Sequence, residues 1–294
     1  MRTVLSLCSL AFALAAQAPT PFHADRVGRV ATLLRSVVEQ GQYAGVSCLV
    51  LHRGQEVLHH AFGAADVVTQ APLQRSAIVR IYSMSKPITA VTALCLVEAG
   101  VLRLDQPIRE LLPEFQAPRV FVGGTAGTPE TVPAERPITV RMLLNHTAGF
   151  SYDFFRTSPV HDLYRAAKLW DASSSADFLS RAAALPLLAQ PGTAWNYSIA
   201  DDVLGVLIER ATKRTLPEVV REHVTGPLGM VDTDFDVPEA KRSRLASLHR
   251  RENGKLVTMD ATFGAFAEHP GPGDRKSTRL NSSHSSVSRM PSSA

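Results

Sequence analysis

The sequence has 294 residues, 45% of them hydrophobic and 20% charged, with a formal net charge of +4. This composition excludes a disordered or fibrous chain and suffices for one large domain or two small ones with a sizeable core. The excess positive charge lies at Arg2 and within residues 274–294, so residues 16–273 are charge-balanced. The net positive charge therefore gives no support for a phosphate-binding surface, and the charge balance of residues 16–273 argues against a nucleic-acid partner.

The N-terminus has the form of a secretory leader. Arg2 precedes an apolar run over residues 4–15 that is too short to span a membrane. Small residues at Ala13 and Ala15 predict cleavage after Ala15. We therefore expect residues 1–15 to be a signal peptide and the protein to be exported, to the periplasm or outside the cell.

The first elements of the domain are predicted from apolar spacing. Residues 22–41 carry apolar side chains at helical intervals, and Arg53-Gly54 is a tight-turn signal between two strands, Val46 to His52 and Glu56 to Phe62. A second long helix is predicted from Ser83 to Gly100. We thus expect an antiparallel hairpin beside helices.

The two cysteines beyond the leader fall in these elements. Cys48 lies in the first predicted strand and Cys95 in the second predicted helix, each among apolar neighbours. We expect both to be buried free thiols, with a disulfide as the alternative.

The following segments are mainly loops and then mainly helices. Residues 104–137 are rich in Pro and Gly and are predicted as long loops, and Thr139 can cap a short helix that ends at Leu144. Further helices are predicted over residues 160–168, 174–184, 199–212 and 216–224. The predicted fold is mixed α/β of the α+β kind, an antiparallel sheet flanked by helices with an inserted mainly helical region.

The C-terminal residues differ from the rest. Residues 274–294 are rich in serine, have no apolar periodicity, and resemble the conceptual translation of a common sequencing adapter. We treat them as a non-native tail and expect one domain over residues 22–273, incomplete at its C-terminus. Since a two-stranded sheet is marginal alone, the missing part is expected to supply further strands.

Ser83 and Lys86 form the first candidate for chemistry. They are three residues apart at the start of a predicted helix, so both project from one face. A desolvated lysine at that distance can take the proton of a serine, which is otherwise a poor nucleophile. The alternative explanation is structural, with Ser83 capping the helix and Lys86 solvated.

Tyr197 is the second candidate. It lies in a loop that leads into the helix predicted from residue 199. A tyrosine held near a protonated lysine can act as a general base, and the alternative is a packed loop aromatic. Asp201 and Asp202 are interpreted as first-turn acids that complement the helix dipole, without a catalytic role.

Metal and cofactor sites are not predicted. The ten histidines are scattered, and the adjacent His59 and His60 point to opposite faces of a strand. There is no His-Glu-x-x-His pair, no Gly-x-Ser-x-Gly elbow and no glycine-rich phosphate loop. His146 is a candidate catalytic base, but its surroundings favour a structural turn.

Several motifs occur in a fixed order that resembles one family. They are Ser83-Met84-Ser85-Lys86-Pro87-Ile88-Thr89-Ala90, Glu98-Ala99-Gly100, Leu104-Asp105-Gln106-Pro107, Leu112-Pro113, Leu143-Leu144-Asn145-His146-Thr147-Ala148-Gly149, Trp195-Asn196-Tyr197-Ser198 and Pro227-Leu228-Gly229-Met230. Together they resemble serine hydrolases of the class C β-lactamase type, closest to the family VIII carboxylesterases, over about residues 22–260. The resemblance implies the β-lactamase/transpeptidase-like fold, with Ser83 as acylated nucleophile, Lys86 assisting and Tyr197 as base.

Two features depart from that family. Class C β-lactamases have an asparagine two residues after the tyrosine, where this chain has Ile199, which favours an esterase. The family's third motif, a Lys-Thr-Gly or Trp-Gly-Gly type element on a C-terminal strand, is absent from the sequence. In the family that strand supplies one of two oxyanion-hole N–H groups, and losing one costs on the order of a hundredfold in rate. The chain as written is therefore expected to be inactive.

The sequence thus predicts an exported serine hydrolase acting on small-molecule carboxylic esters, without metal or cofactor. A second enzymatic interpretation is a D-alanyl-D-alanine peptidase or weak β-lactamase, because the same nucleophile serves amide substrates. A third is a non-catalytic domain of the same fold that binds cell-wall fragments or another protein.

Overall fold

The computed structural model describes residues 24–155, 157–259 and 287–288. The helices are α1 Ala24–Glu39, α2 Ser85–Glu98, α3 Val140–Leu144, α4 Pro159–Ala167, α5 Ser175–Ala183, α6 Ala200–Thr212 and α7 Leu216–Val220. The strands are β1 Gly45–His52, β2 Gln55–Gly63, β3 Val79–Arg80, β4 Arg119–Gly124, β5 Pro129–Pro133, β6 Leu248–Glu252, β7 Lys255–Met259 and β8 Val287–Ser288. The predicted leader, residues 1–15, lies outside the described residues.

The architecture is mixed α/β, as predicted. Within the described residues the strands form four separate antiparallel pairs, β1 with β2, β3 with β8, β4 with β5 and β6 with β7. Helix α1 packs on the β1–β2 hairpin. The partner of β3 comes from residues 287–288, inside the segment predicted as a non-native tail, whose other residues lie outside the described ones.

Most predicted helices are confirmed to within about two residues. α3 begins after Thr139, whose hydroxyl accepts from the Met142 N–H and so satisfies a free backbone donor. α4 and α5 are capped in the same way by Ser158 and Ser174. α7 begins with a capping box and continues as a single π-helical turn, Arg221–Thr225.

The prediction that residues 104–137 form only loops is wrong. β4 and β5 form a hairpin in this segment, and β4 is also bonded on its other side, where the Phe121 N–H donates to the Leu187 carbonyl. Val120 is buried and Val122 is 59% exposed, although both would lie on one face of a regular strand, because the pairing with β5 is irregular between Phe121 and Gly123. Among the prolines that suggested loops, Pro129 begins the edge strand β5, and Pro133 ends the same strand, where a missing N–H costs little.

A second unpredicted hairpin is β6–β7. Its turn is Asn253-Gly254, and both residues have positive φ, 48° and 79°. Asn-Gly favours a two-residue hairpin turn because both residues accept positive φ, but the flanking segments Leu248–Glu252 and Lys255–Met259 have no apolar alternation, so the sequence carried only the turn signal. This hairpin forms its own pair and does not extend the β1–β2 pair, for which further strands were expected beyond residue 273.

The core is built around α6. Its residues from Ala200 to Ile208 are all buried, and α2, α3 and α7 pack against it. A helix that is enclosed on every side must bury whatever its first turn carries, and here the first turn carries Asp201 and Asp202. The fold therefore places two carboxyl groups in its interior.

We predict that truncating the centre of α6 strongly destabilises the protein. Leu204 is 0% exposed, so Leu204→Ala removes buried apolar surface and leaves a cavity. Its free energy of unfolding, measured by urea denaturation, is expected to fall by about 2–5 kcal/mol. The control is Leu33→Ala on α1, where the side chain is 60% exposed, with an expected change within about 0.5 kcal/mol. Equal losses in both variants would contradict the assignment of α6 as the core.

Candidate active site

Ser83 lies in a turn of 3₁₀ helix, Tyr82–Met84, immediately before α2. Tyr82 has φ of 46°, a left-handed conformation that is uncommon for a bulky residue and is found at functional sites. The turn is held by two hydrogen bonds, from the Ser85 hydroxyl to the Tyr82 carbonyl at 2.6 Å and from the Met84 N–H to the Ile81 carbonyl at 3.0 Å. Ser83 itself is exposed at the surface.

Ser83 does not cap α2. The N-cap position of α2 is Met84, and no side chain accepts a hydrogen bond there. The structural alternative for Lys86 fails as well, because its side chain is not solvated and the residue is 7% exposed. Neither residue thus has the role that the structural explanation gave it.

Tyr197 is positioned by a loop that is anchored to the segment after α3. The Asn196 N–H donates to the His146 carbonyl at 2.8 Å, and the Asn196 side-chain amide donates to the Phe150 carbonyl at 2.5 Å. Both bonds are made by Asn196, so they fix the residue that immediately precedes Tyr197. The Tyr197 hydroxyl donates to Ser83 Oγ at 2.7 Å, across 114 positions of sequence.

Lys86 completes the group. Its ammonium nitrogen lies 5.2 Å from the centre of the Tyr197 ring, within the range of a cation–π contact. It also donates a hydrogen bond to the Tyr152 hydroxyl at 3.2 Å. The structure therefore brings the three residues singled out in the sequence, Ser83, Lys86 and Tyr197, to one place.

Tyr152 and Asp202 were not predicted as part of the site. The Tyr152 hydroxyl accepts from Lys86 and donates to Asp202 Oδ2 at 3.4 Å. Tyr152 is 1% exposed and Asp202 is 0% exposed. The sequence signal for Asp202 was a pair of acids followed by the uniformly apolar run of residues 203–208, which indicates burial rather than a solvated first turn.

His146 belongs to a different contact. Its Nε2 lies 3.2 Å from Asp201 Oδ2, its Nδ1 lies 3.5 Å from the Ser198 hydroxyl, and its ring is 4.9 Å from that of Tyr197. Its φ of 58° marks a tight turn. Among the contacts of the described residues it bonds to no atom of Ser83, so it supports the Tyr197 loop rather than the nucleophile.

Burial alters the protonation of this histidine and its partner. Burial, with the positive charge of Lys86, lowers the pKa of His146 to about 4. Burial raises the pKa of Asp201 to about 7; the neighbouring Asp202 adds to this rise and Lys86 opposes it. Between these two pKa values both groups are predominantly neutral, so the 3.2 Å contact between them is not an ion pair.

Exposed apolar side chains surround the hydroxyl pair. Met84 is 63% exposed, Phe154 54% and Trp195 68%. The ring of Phe154 stacks on Tyr152 at 4.6 Å between centres, and that of Trp195 is stacked 6.5 Å from Tyr197. Surfaces of this kind suit an apolar group next to Ser83.

No metal site is found in the part of the chain that the structure describes, since no three His, Cys, Asp or Glu residues are grouped to hold an ion. In the same residues, no helix is long and apolar enough to cross a membrane. Cys48 and Cys95 are free thiols, as predicted, but both are half-buried rather than buried.

We predict that Asp201→Asn gains stability over the wild type as the pH rises. A carboxyl with a pKa raised on folding contributes its full stability below its unfolded value, 3.8, and loses it as the pH approaches about 7. The asparagine cannot ionise and avoids this loss. Between pH 5 and pH 8 the variant should gain about 2 kcal/mol in its free energy of unfolding, measured by urea denaturation.

The exposed Asp236 provides the control for this pH series. Asp236→Asn should differ from the wild type by a constant amount across the same pH values. A flat or falling difference for Asp201→Asn would show that its carboxyl is ionised throughout.

Comparison with known proteins places this geometry in a family. Residues 30–286 match the family described as Beta-lactamase. An uncharacterized protein of Mycobacterium tuberculosis is 35% identical over 227 residues, covering 77% of this chain and 56% of the relative. Esterase EstB of Burkholderia gladioli is 33% identical over 232 residues, covering 76% and 56%.

Solved structures agree with this match. EstCE1, described as a hydrolase with promiscuous acyltransferase activity, superposes with a TM-score of 0.71 at 26% identity and covers 89% of this chain and 68% of its own. The chain spans a little over half the length of the curated relatives it matches. With the family match extending over most of its residues, the chain belongs to the beta-lactamase family.

Proposed function

We propose that the complete protein is a serine hydrolase that cleaves carboxylic esters through an acyl-enzyme on Ser83. The observation that carries this proposal is the 2.7 Å hydrogen bond between Ser83 Oγ and the Tyr197 hydroxyl, with Lys86 against the Tyr197 ring. A nucleophile within hydrogen-bond reach of a base, itself positioned by a third group, is the arrangement for covalent catalysis. Esterase EstB, a relative at 33% identity, supports an ester substrate.

The proposed first step is acylation. Ser83 Oγ attacks the ester carbonyl carbon, and its proton passes to the oxygen of Tyr197. Lys86, whose ammonium lies 5.2 Å from the centre of the Tyr197 ring, is the third group that positions this base. Collapse of the tetrahedral intermediate breaks the bond to the alcohol, which leaves with the proton from Tyr197.

Deacylation repeats the sequence with water. Tyr197 takes a proton from a water molecule that attacks the acyl carbon, and it returns this proton to Ser83 Oγ as the bond between Oγ and the acyl carbon breaks and the carboxylic acid is released. The Ser83 N–H at the start of α2 can donate to the developing oxyanion. The third motif of the family, which supplies a second donor, is absent from this sequence, so we propose that the 294-residue chain alone turns over slowly.

An ester is proposed rather than a β-lactam because of position 199. Ile199 is 0% exposed and packs in the core at the beginning of α6. This position therefore offers no side-chain amide to hold the acylamide group of a β-lactam. The apolar surfaces of Trp195, Phe154 and Met84 instead suit an ester with an apolar acyl or alcohol group.

We predict that a fluorophosphonate probe labels Ser83 of the folded chain. The oxygen–phosphorus bond forms as fluoride leaves and the serine proton passes to Tyr197. Intact mass and peptide mapping should show a single adduct that is lost in Ser83→Ala. Tyr197→Phe removes the proton acceptor and should slow labelling about 100-fold.

The control for the tyrosine variant is Tyr43→Phe, because Tyr43 is 58% exposed and precedes β1, outside the site. It should label at the wild-type rate. If the product of the complete source gene is folded by circular dichroism and cooperative unfolding but takes no adduct at Ser83, a non-catalytic domain that binds cell-wall fragments or a protein replaces the esterase proposal.

We predict that the product of the complete source gene prefers esters. Its kcat/KM for p-nitrophenyl esters should exceed that for a chromogenic cephalosporin by at least about tenfold, since no amide at position 199 assists the β-lactam. The reverse order would support a β-lactamase or a D-alanyl-D-alanine peptidase.

Acyl transfer to an alcohol is a second candidate function, favoured by the similarity to EstCE1, a hydrolase with promiscuous acyltransferase activity. An alcohol would replace water in attacking the acyl carbon, giving a new ester and free Ser83. Adding an alcohol to the ester assay tests this, since a transferred ester would appear beside the acid.

A further inference from the structure

We propose that Tyr152 and Asp202 are positioning residues for Lys86. The Tyr152 hydroxyl links the carboxylate of Asp202 to the lysine ammonium and holds that ammonium beside Tyr197. This inference rests on the proposed function, because it names the residues that prepare Lys86 for its part in acylation.

Lys86 and Asp202 are two buried residues of opposite charge type that a single tyrosine hydroxyl connects. Lys86 is 7% exposed and Asp202 is 0% exposed. Removing a charge from water costs several kcal/mol unless it is compensated by an opposite charge and by hydrogen bonds. The hydrogen bonds from Lys86 to Tyr152 and from Tyr152 to Asp202 give both groups such compensation.

The direction of these hydrogen bonds is determined by chemistry. An ammonium group can only donate and a carboxylate can only accept, whereas a phenol hydroxyl can do both. The Tyr152 oxygen therefore accepts from Lys86 at 3.2 Å, and its proton points to Asp202 at 3.4 Å. The bridge thus joins the lysine to the acid through a single hydroxyl group.

The aromatic rings set where the ammonium lies. Lys86 Nζ is 5.7 Å from the centre of the Tyr152 ring and 5.2 Å from that of the Tyr197 ring, and the two ring centres are 5.4 Å apart. The ammonium thus faces both rings. Replacing Tyr152 by phenylalanine keeps the ring and removes only the bridging hydroxyl.

The other ionisable groups around Lys86 do not provide this link. His146, from the turn after α3, is predominantly neutral above about pH 4, because burial and Lys86 lower its pKa. Asp201, from α6, contacts His146 and is predominantly protonated below about pH 7. Asp202, in the same helix turn, is the acid that the Tyr152 hydroxyl contacts.

Asp201 therefore offers a matched control for Asp202. The two acids are adjacent, are both buried in the first turn of α6, and differ in which side chain they contact. The variants are Asp202→Asn, Tyr152→Phe, the two combined, and Asp201→Asn. Circular dichroism and thermal unfolding first establish that each protein is folded.

The first readout is the rate of Ser83 labelling by the fluorophosphonate at pH 6.5. Asp202→Asn and Tyr152→Phe should each lower the maximal labelling rate about tenfold, with the half-saturating probe concentration unchanged. The double variant should be no slower than the slower single variant, because both changes break one link. Asp201→Asn should label within about threefold of the wild type.

The second readout does not need a working nucleophile. Acetic anhydride at limiting amounts reports the reactivity of each lysine by peptide mapping, and the exposed Lys213 and Lys255 are internal references. Relative to these, Lys86 should react slowly in the wild type and in Asp201→Asn. It should react about tenfold faster in Asp202→Asn and Tyr152→Phe, since both changes break the hydrogen-bonded link that holds the lysine nitrogen in its buried position.

The two readouts separate the two proposals. If the folded wild type takes no label at Ser83 but Lys86 reactivity rises as stated, the proposed function falls and the positioning of Lys86 stands. If Lys86 reactivity is the same in Asp202→Asn as in Asp201→Asn, or the two single effects on labelling multiply in the double variant, the positioning inference is overturned.

Discussion

The enclosure of α6 on every side is the constraint on which the rest of the structure depends. Because its residues from Ala200 to Ile208 are all buried, the helix cannot turn its first-turn acids to solvent. The fold must therefore find partners for Asp201 and Asp202 inside the protein. It finds them in His146 and Tyr152, which both come from the segment that follows α3.

This constraint ties the core to the candidate site. Carbonyl groups in the segment after α3 also accept the hydrogen bonds that fix the loop carrying Tyr197. The same segment therefore provides partners for the two buried acids and positions the Tyr197 hydroxyl next to Ser83. A buried ionised group is costly alone and tolerable when paired. Because the pKa of His146 is lowered and that of Asp201 is raised, both groups are predominantly neutral between about pH 4 and pH 7. Asp202 is then the acid that is linked, through the Tyr152 hydroxyl, to the ammonium of Lys86.

The sequence predicted those helices and strands whose ends are marked by local signals such as capping residues. It missed the two hairpins in which local signals were weak or pointed to a loop. The helices at residues 140, 159 and 175 begin beside Ser or Thr caps, which are local interactions and can be recognised from adjacent residues. The β4–β5 hairpin was obscured by Pro129 and Pro133, whose tolerance depends on β5 being an edge strand. The β6–β7 hairpin has one local signal, the Asn253-Gly254 turn, in which both residues have positive φ.

The sequence by itself determined the candidate nucleophile, its neighbouring lysine and the tyrosine, because Ser83-x-x-Lys86 and Tyr197 occur in ordered motifs. Only the tertiary structure decided that Ser83 and Tyr197 hydrogen bond across 114 positions, and that Asp202 is an interior carboxylate linked to Lys86 instead of a solvated helix-end acid. The physical reason is that burial and long-range hydrogen bonds depend on how helices pack against α6, whereas spacing in the sequence reports only which residues share a face.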